Sequence, residues 1–441
     1  MNDIPISPEI IKNLARSIEI SSLASSSIRE IAHLVDVIEE KTGVKFVRME
    51  MGIPGLPAPS LGIEAEIKAL RDGVASIYPN IVGITPLKKE TSRFIKLFLD
   101  IDVDPEGCIP TVGSMMGAMV SFLVANRNDR TKEGTLFIDP GFPVQKQQVK
   151  MLGHEYSSFD IYNYRGKKLK EKLESYLKPG KISSLLFSNP NNPSWICLTE
   201  EELEIIGELS RKYDVIVIED LAYFGMDFRK DYSFPGRAPF QPTVAHYTDE
   251  YIMLISSSKI FSYAGQRIGM MAISDKLFNR TYPDLLRYYS TDKFGHSAIF
   301  GALYGLSAGV AHSVQYGLSA LLKAVNDGTY KYRDDVLEYG EKARVMKEMF
   351  ISNDFRIVYD KDLDEPIADG FYFTIGYPGM SADKLIEQLL CYGISAISLL
   401  TTGSERCDGL RACVSLVPRE QFGELAIRLK RFKEDHPINK N

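Results

Sequence analysis

The sequence predicts an α/β protein: a mostly parallel sheet covered by helices on both faces, with a smaller α+β unit beside it. Three observations predict this. Short β-rich apolar runs, TLFIDP, ISSLLFSNP and DVIVIED, alternate with helical stretches such as GSMMGAMVSFLVANR and EEELEIIGELSRKY, the pattern of strands buried on both faces. After about residue 300 the texture changes, and a long helical stretch over roughly 303–350 leads into the strands GFYFTIGY and LRACVSL. The 441 residues exceed one ordinary core and suffice for two.

Taken in order, residues 1–50 read as helical. SSIREIAHLVDVIEEKTG carries apolar residues at helical spacing and ends at Gly43. MGIPGLPAP, with three prolines and two glycines, reads as an extended loop. The alternation of strand and helix begins near residue 110. No internal repeat or low-complexity tract interrupts it.

Hydrophobic content of 44%, charged content of 25% and a net charge of −6 describe a soluble globular chain without a large electrostatic footprint for nucleic acid. The five cysteines (Cys108, Cys197, Cys391, Cys407, Cys413) have no CxxC spacing, and the six histidines form no HExxH motif. Neither a disulfide framework nor a metal centre is expected. The N-terminus lacks the apolar core of a signal peptide and no run is long enough to span a bilayer, so a cytoplasmic enzyme is expected.

In a doubly wound sheet, ligands collect beyond the carboxyl ends of the strands. Asp220 ends the run VIVIED, and Tyr223 follows in LAY. A carboxylate there is either a helix cap or the partner of a buried cation. In FSNPNNPSW, Pro190 and Pro193 fix a turn that either is purely structural or aims Asn192 at a ligand. Gly113, Ser114 and Met115 open a helix whose free N–H groups suit an anion. Phe142, in DPGFPVQ, lies just past a strand, where it either packs or faces a planar ligand.

Lys259 follows the apolar run YIMLI and three serines, with Arg267 eight residues on. Burial lowers a lysine pKa toward neutrality and makes the amine a nucleophile for carbonyls. Ser256, Ser258 and Arg267 around it suit a phosphate. A phosphate-bearing aldehyde beside a lysine points to pyridoxal phosphate, for which Asp220 would meet the pyridine nitrogen, and Asn192 and Tyr223 the phenolate oxygen.

The ordered set NPNNP, DLAY, SSSK with its arginine, and LRACVSL resembles the class I/II aminotransferases, the fold-type I pyridoxal-phosphate enzymes related to aspartate aminotransferase, over about residues 45–415. The resemblance implies a three-layer, mostly parallel large domain at 56–305 and a smaller α+β domain at 306–441. Residues 1–55 would form an N-terminal arm that completes the small domain. It implies a ping-pong transfer of an amino group from an α-amino acid to a 2-oxo acid. Lys259 would form the internal aldimine and shuttle the proton, Asp220 would keep the pyridine nitrogen protonated, and Asn192 and Tyr223 would donate to the phenolate oxygen. Ser256, Ser258, Arg267, Gly113, Ser114 and Met115 would hold the phosphate, and Phe142 would stack on the ring. Arg411 would grip the substrate α-carboxylate, with Gly52 in the substrate loop. Tyr78 would reach the phosphate of a neighbouring subunit in a homodimer. The partners implied are small molecules, without metal, nucleic acid or membrane.

Two departures stand out. Ser194-Trp195 replaces the usual Thr-Gly after NNP, and TTGSERCDGLRACVSL departs from the common pattern near the last arginine. A carbon–sulfur β-lyase or a related synthase would use the same lysine, aspartate and arginine, and a binding protein that has lost catalysis is the third alternative. Lys88, Lys89 and Lys293 are the candidate second cations for an acidic substrate.

Overall fold

A computed structural model describes residues 4–132 and 134–438. Two helices open it, α1 (Pro8–Ser17) and α2 (Ile28–Thr42). A Ser27–Glu30 capping box starts α2, and Gly43 ends it in the left-handed region at φ +74°. The chain then adds a short strand, Val47–Arg48, parallel to Ile394–Ser395 near its other end. Residues 51–59 carry no regular element, as the prolines predict.

The main sheet has seven strands: β1 (Cys108–Thr111), β2 (Gly134–Asp139), β3 (Glu155–Asp160), β4 (Ile182–Ser188), β5 (Ile216–Leu221), β6 (Tyr251–Ser256) and β7 (Gly269–Ile273). Their order is β1-β7-β6-β5-β4-β2-β3. Only β7 runs against its neighbours. The sheet separates two apolar clusters, because side chains alternate across a strand. Val217 and Met253 join one cluster, Ile218, Ile252 and Leu254 the other. Helix α3 (Gly113–Ala125) covers the second face with Ala118, Phe122 and Val124. Helices α4 (Pro143–Met151) and α5 (Glu200–Tyr213) complete the layers that matter for the site. This is the mostly parallel α/β sheet expected.

The helical stretch after residue 303 is interrupted where one continuous run is predicted. It breaks at Ala308, left-handed at φ +52°, and again between α6 (His312–Asn326) and α7 (Tyr332–Ser352), where Gly328 has φ +69°. Left-handed residues end helices because they turn the next carbonyl away from the helix axis. A second sheet of four strands follows, from β8 (Arg356–Ile357), β9 (Tyr372–Gly376), β10 (Ile397–Ser398) and β11 (Leu410–Cys413), in the order β10-β11-β9-β8. The antiparallel register sets Thr374 opposite Arg411. Cys413 N–H donates to the Met49 carbonyl at 2.9 Å, tying the N-terminal segment to this sheet.

Candidate active site

The cluster forms where β1, β5, β6 and β7 end or begin. The register pairs Asp220 with Leu254, so the carboxyl end of β5 lies beside the last turn of β6, which leads through Ser256 into the short helix Ser257–Ile260 carrying Lys259. Gly269 of β7 faces both Thr111 and Ser256. A Cβ there would lie 2.9 Å from the Ile255 carbonyl oxygen and 3.1 Å from the Ser114 nitrogen. Glycine at 269 therefore lets the start of α3 and the end of β6 converge.

Asp220 is buried, 7% exposed. Gln145 Nε2 donates to its Oδ2 at 2.8 Å, and the Ala222 N–H to its Oδ1 at 3.1 Å. Burial outweighs both donors and pushes the carboxyl up to about 6. Such a group awaits a cation. Lys259 is displaced the other way: burial above all, with the Arg411 and Arg267 charges adding to it, brings its amine down to about 8. Its Nζ donates to the Gly52 carbonyl and lies 4.8 Å from the centre of the Phe371 ring.

The loop after β4 is held by its own polar groups. Asn191 donates to the Pro140 carbonyl at 2.7 Å and accepts from the Ser194 hydroxyl at 2.7 Å. That leaves Asn192 facing the cluster, where its Oδ1 accepts from Arg411 Nη1 at 3.4 Å. Arg411 is 2% exposed. Its Nη2 donates to the Glu50 carbonyl at 2.7 Å and its Cζ lies 4.6 Å from the centre of the Tyr372 ring, while its Nε is buried without a partner. A buried guanidinium nitrogen with no acceptor costs free energy until an anion arrives, and a carboxylate suits that fork.

At the opposite edge, Gly113 starts α3 at φ +65°. A Cβ on it would stand 2.5 Å from Arg267 Nη2, so only glycine lets the guanidinium approach the free N–H groups of the first turn. Ser256 Oγ accepts from the Ser258 N–H at 3.2 Å. Ser114 and Met115 lie in that first turn of α3, and Phe142 caps α4 immediately past β2. The donor set fits pyridoxal phosphate: an amine near neutrality for its aldehyde, a carboxyl wanting a cation for its pyridine nitrogen, and hydroxyls, amides and a guanidinium for its phosphate.

Not every predicted residue joins the cluster. Tyr78 is 94% exposed and touches none of these groups. Lys88 is buried and its Nζ donates to the Val82 and Glu106 carbonyls, both at 3.2 Å, so it offers no free cation. Lys89 and Lys293 are exposed. Conversely, sequence reasoning misses Gln145, Gly269, Phe371 and Tyr372. Tyr372 accepts the Tyr223 hydroxyl at 2.8 Å. The only signal for it is strand alternation in DGFYFTI beside LRACVSL.

The profile of the family described as aminotransferase class I and II matches residues 53–428. A probable aspartate aminotransferase of Methanocaldococcus jannaschii is 25% identical over 349 residues, 74% of this chain and 86% of that protein. The aromatic-amino-acid aminotransferase 2 of Thermococcus litoralis is 27% identical over 282 residues, 60% of this chain and 68% of that one. Among solved structures, an alanine aminotransferase from Pyrococcus furiosus superposes with a TM-score of 0.75 at 18% identity, covering 96% of this chain and 99% of its own.

Proposed function

The chain belongs to the class I and II aminotransferases, pyridoxal-phosphate enzymes of fold type I, and we propose that Lys259, Asp220, Tyr223, Asn192 and Arg411 carry its amino transfer. When bound, pyridoxal phosphate supplies an aldehyde for amines and a cationic ring that withdraws electrons. Lys259 binds the cofactor and then, as a base neutral above about pH 8, takes the proton from the substrate Cα. The Asp220 carboxylate, steadied by Gln145, holds the proton at the pyridine nitrogen. Tyr223 and Asn192 donate to the phenolate oxygen. Gly113, Ser114, Met115, Ser256, Ser258 and Arg267 would take the phosphate, and Phe142 would lie against the ring.

Arg411 binds the α-carboxylate in two-pronged fashion, and Gly52, whose carbonyl accepts from Lys259, belongs to the substrate loop. The single observation that carries this assignment is the pairing of oppositely displaced groups, a carboxyl held up and an amine held down, at the ends of adjacent parallel strands.

The proposed active unit is a homodimer. Tyr78 and its neighbour Ile77, 57% exposed, would bury against a second copy, with Tyr78 reaching that copy's phosphate. The chain would divide at about residues 55 and 305 into an arm, a large cofactor domain and a small domain. All five cysteines are unpaired, which suits a reducing cytoplasm, and no helix among the described residues is long and apolar enough to cross a membrane.

The test is a half-reaction. Purified protein should absorb visible light and lose that band on mixing with an amino donor alone, as the amino group stays on the cofactor. Lys259→Ala should abolish the borohydride-stable adduct. A wild-type chain that ignores added pyridoxal phosphate overturns the assignment, and release of ammonia with pyruvate from a cysteine conjugate would make it a lyase. A panel of amino donors against 2-oxoglutarate and pyruvate then identifies the substrate.

A further inference from the structure

Trp195 is the only tryptophan of the chain. It is fully buried and sits at φ +64°, a region that bulky residues seldom occupy. The turn that imposes this angle is closed by its N–H, which donates to the Asn191 carbonyl at 3.0 Å. The indole lies against Gly370, where a Cβ would stand 1.9 Å from Cε2 and 2.1 Å from Nε1. Gly370 immediately precedes the Phe371-Tyr372 pair, so the indole fills the space of the missing side chain and abuts the start of β9.

The indole edge meets two tyrosine rings. Its centroid is 5.3 Å from that of Tyr223 and 6.1 Å from that of Tyr372, both at 66°, the edge-to-face arrangement that aromatic quadrupoles favour. The two tyrosines stand 5.6 Å apart and share the 2.8 Å hydroxyl bond. Tyr372 has two further neighbours in the cluster. Its ring carries the Arg411 guanidinium, and a Cβ on Gly52 would lie 2.1 Å from its hydroxyl.

We propose that Trp195 and Tyr372 are positioning residues for the transfer: the indole seats the Tyr372 ring, whose hydroxyl holds that of Tyr223 and whose face holds the Arg411 guanidinium. The proposal rests on the roles assigned above to Tyr223 and Arg411. A phenol has one proton to give. When Tyr223 gives its proton to an oxygen of the cofactor, Tyr372 turns donor toward Tyr223, and the two bonds in series strengthen each other. Tyr372 thereby makes Tyr223 a better donor without itself touching the reacting atoms. The family's usual glycine after NNP-Thr could supply the turn, but no ring.

The test uses the holoenzyme. Tyr372→Phe keeps the ring under Arg411 and removes only the hydroxyl. The pH midpoint of the holoenzyme's absorbance titration should rise by about 0.5–1 unit, because a weaker donor leaves the basic form of the chromophore less stabilised. The kcat should fall about 5–10-fold, with KM for the amino donor changed less than about twofold. Trp195→Phe, which leaves a void beside both rings, should move the midpoint and kcat in the same directions.

Emission of the lone tryptophan checks the fold of Tyr372→Phe, and should stay at the wild-type wavelength. Tyr223→Phe serves as the reference. If it leaves the titration unmoved, the assignment of Tyr223 fails and this proposal with it. If it shifts the midpoint while Tyr372→Phe and Trp195→Phe do not, the positioning proposal alone is overturned.

Discussion

The amine of Lys259 donates to the carbonyl of Gly52, a residue 207 positions earlier in the chain. That bond joins the end of a central strand to the loop that follows the N-terminal helices. It also fixes the surroundings of the amine, which burial holds near pH 8. Below that pH the amine is charged and has no lone pair to offer; above it, the neutral form predominates. The rate at which cofactor-free protein takes up pyridoxal phosphate should therefore climb up to about pH 8 and level off above it. Stopped-flow absorbance measures it, and a rate still climbing steeply above about pH 9 contradicts the displaced amine.

Arg411 is buried with one guanidinium nitrogen unpartnered. Arg411→Lys removes the planar fork and its stacking on Tyr372. The loss of a charged two-pronged contact costs about 1.5–3 kcal/mol, so KM for amino donors should rise roughly 10- to 100-fold. Steady-state kinetics check it; an unchanged KM would place the carboxylate elsewhere.

Gly113→Ala puts a Cβ 2.5 Å from Arg267 Nη2 and forces φ +65° on a residue with a side chain. The backbone strain alone is worth about 1–2 kcal/mol, and the guanidinium must leave the helix start. Affinity for pyridoxal phosphate should drop about tenfold or more, with less effect on KM for the amino donor. Titrating cofactor into the cofactor-free variant reads this directly. Wild-type affinity would mean that the phosphate is held without this turn.

Glu219 points away from the site, buried on the other face of β5, with Oε1 unpartnered and Oε2 accepting from the Thr243 hydroxyl at 2.5 Å. Burial raises its carboxyl from 4.5 to about 7. Between those values the folded chain holds a proton that the unfolded chain releases, so this contribution to stability is complete below about pH 4.5 and lost as pH climbs through about 7. Glu219→Gln stays neutral throughout. At pH 8 the cofactor-free variant should be the more stable by roughly 1–3 kcal/mol, the gap closing toward pH 5. Thermal unfolding followed by circular dichroism at the two pH values decides it, and a gap of equal size at both excludes titration of Glu219 as its cause.

Strand ends were the legible part of this molecule. VIVIED and YIMLI announce buried strands by their unbroken apolar runs, and a charged residue at the mouth of each stands out against them. The rule that ligands gather beyond parallel strand ends then points to Asp220 and Lys259 without any coordinates. The prolines of NPNNP and the glycine before Ser114 announce special backbone in the same local way. The interruptions after residue 303 were less legible, because a left-handed Ala308 leaves no mark in composition.

The partners of those residues come from far along the chain. Gln145 reaches Asp220 across 75 positions and Tyr372 reaches Tyr223 across 149. Whether such pairs meet depends on strand order, register and the angle between the two sheets. Trp195 shows the division most plainly. By sequence it is a bulky substitute for a glycine, and nothing local says where an indole at positive φ would go. The tertiary structure gives it a place because Gly370, 175 residues away, lacks a side chain there. The sequence by itself therefore determined the α/β sheet and singled out the candidate groups at its strand ends, since periodicity and chain breaks are local properties. The tertiary structure alone decided how those groups are held, since the hydrogen bonds and ring contacts that hold them join segments whose proximity only the closed fold creates.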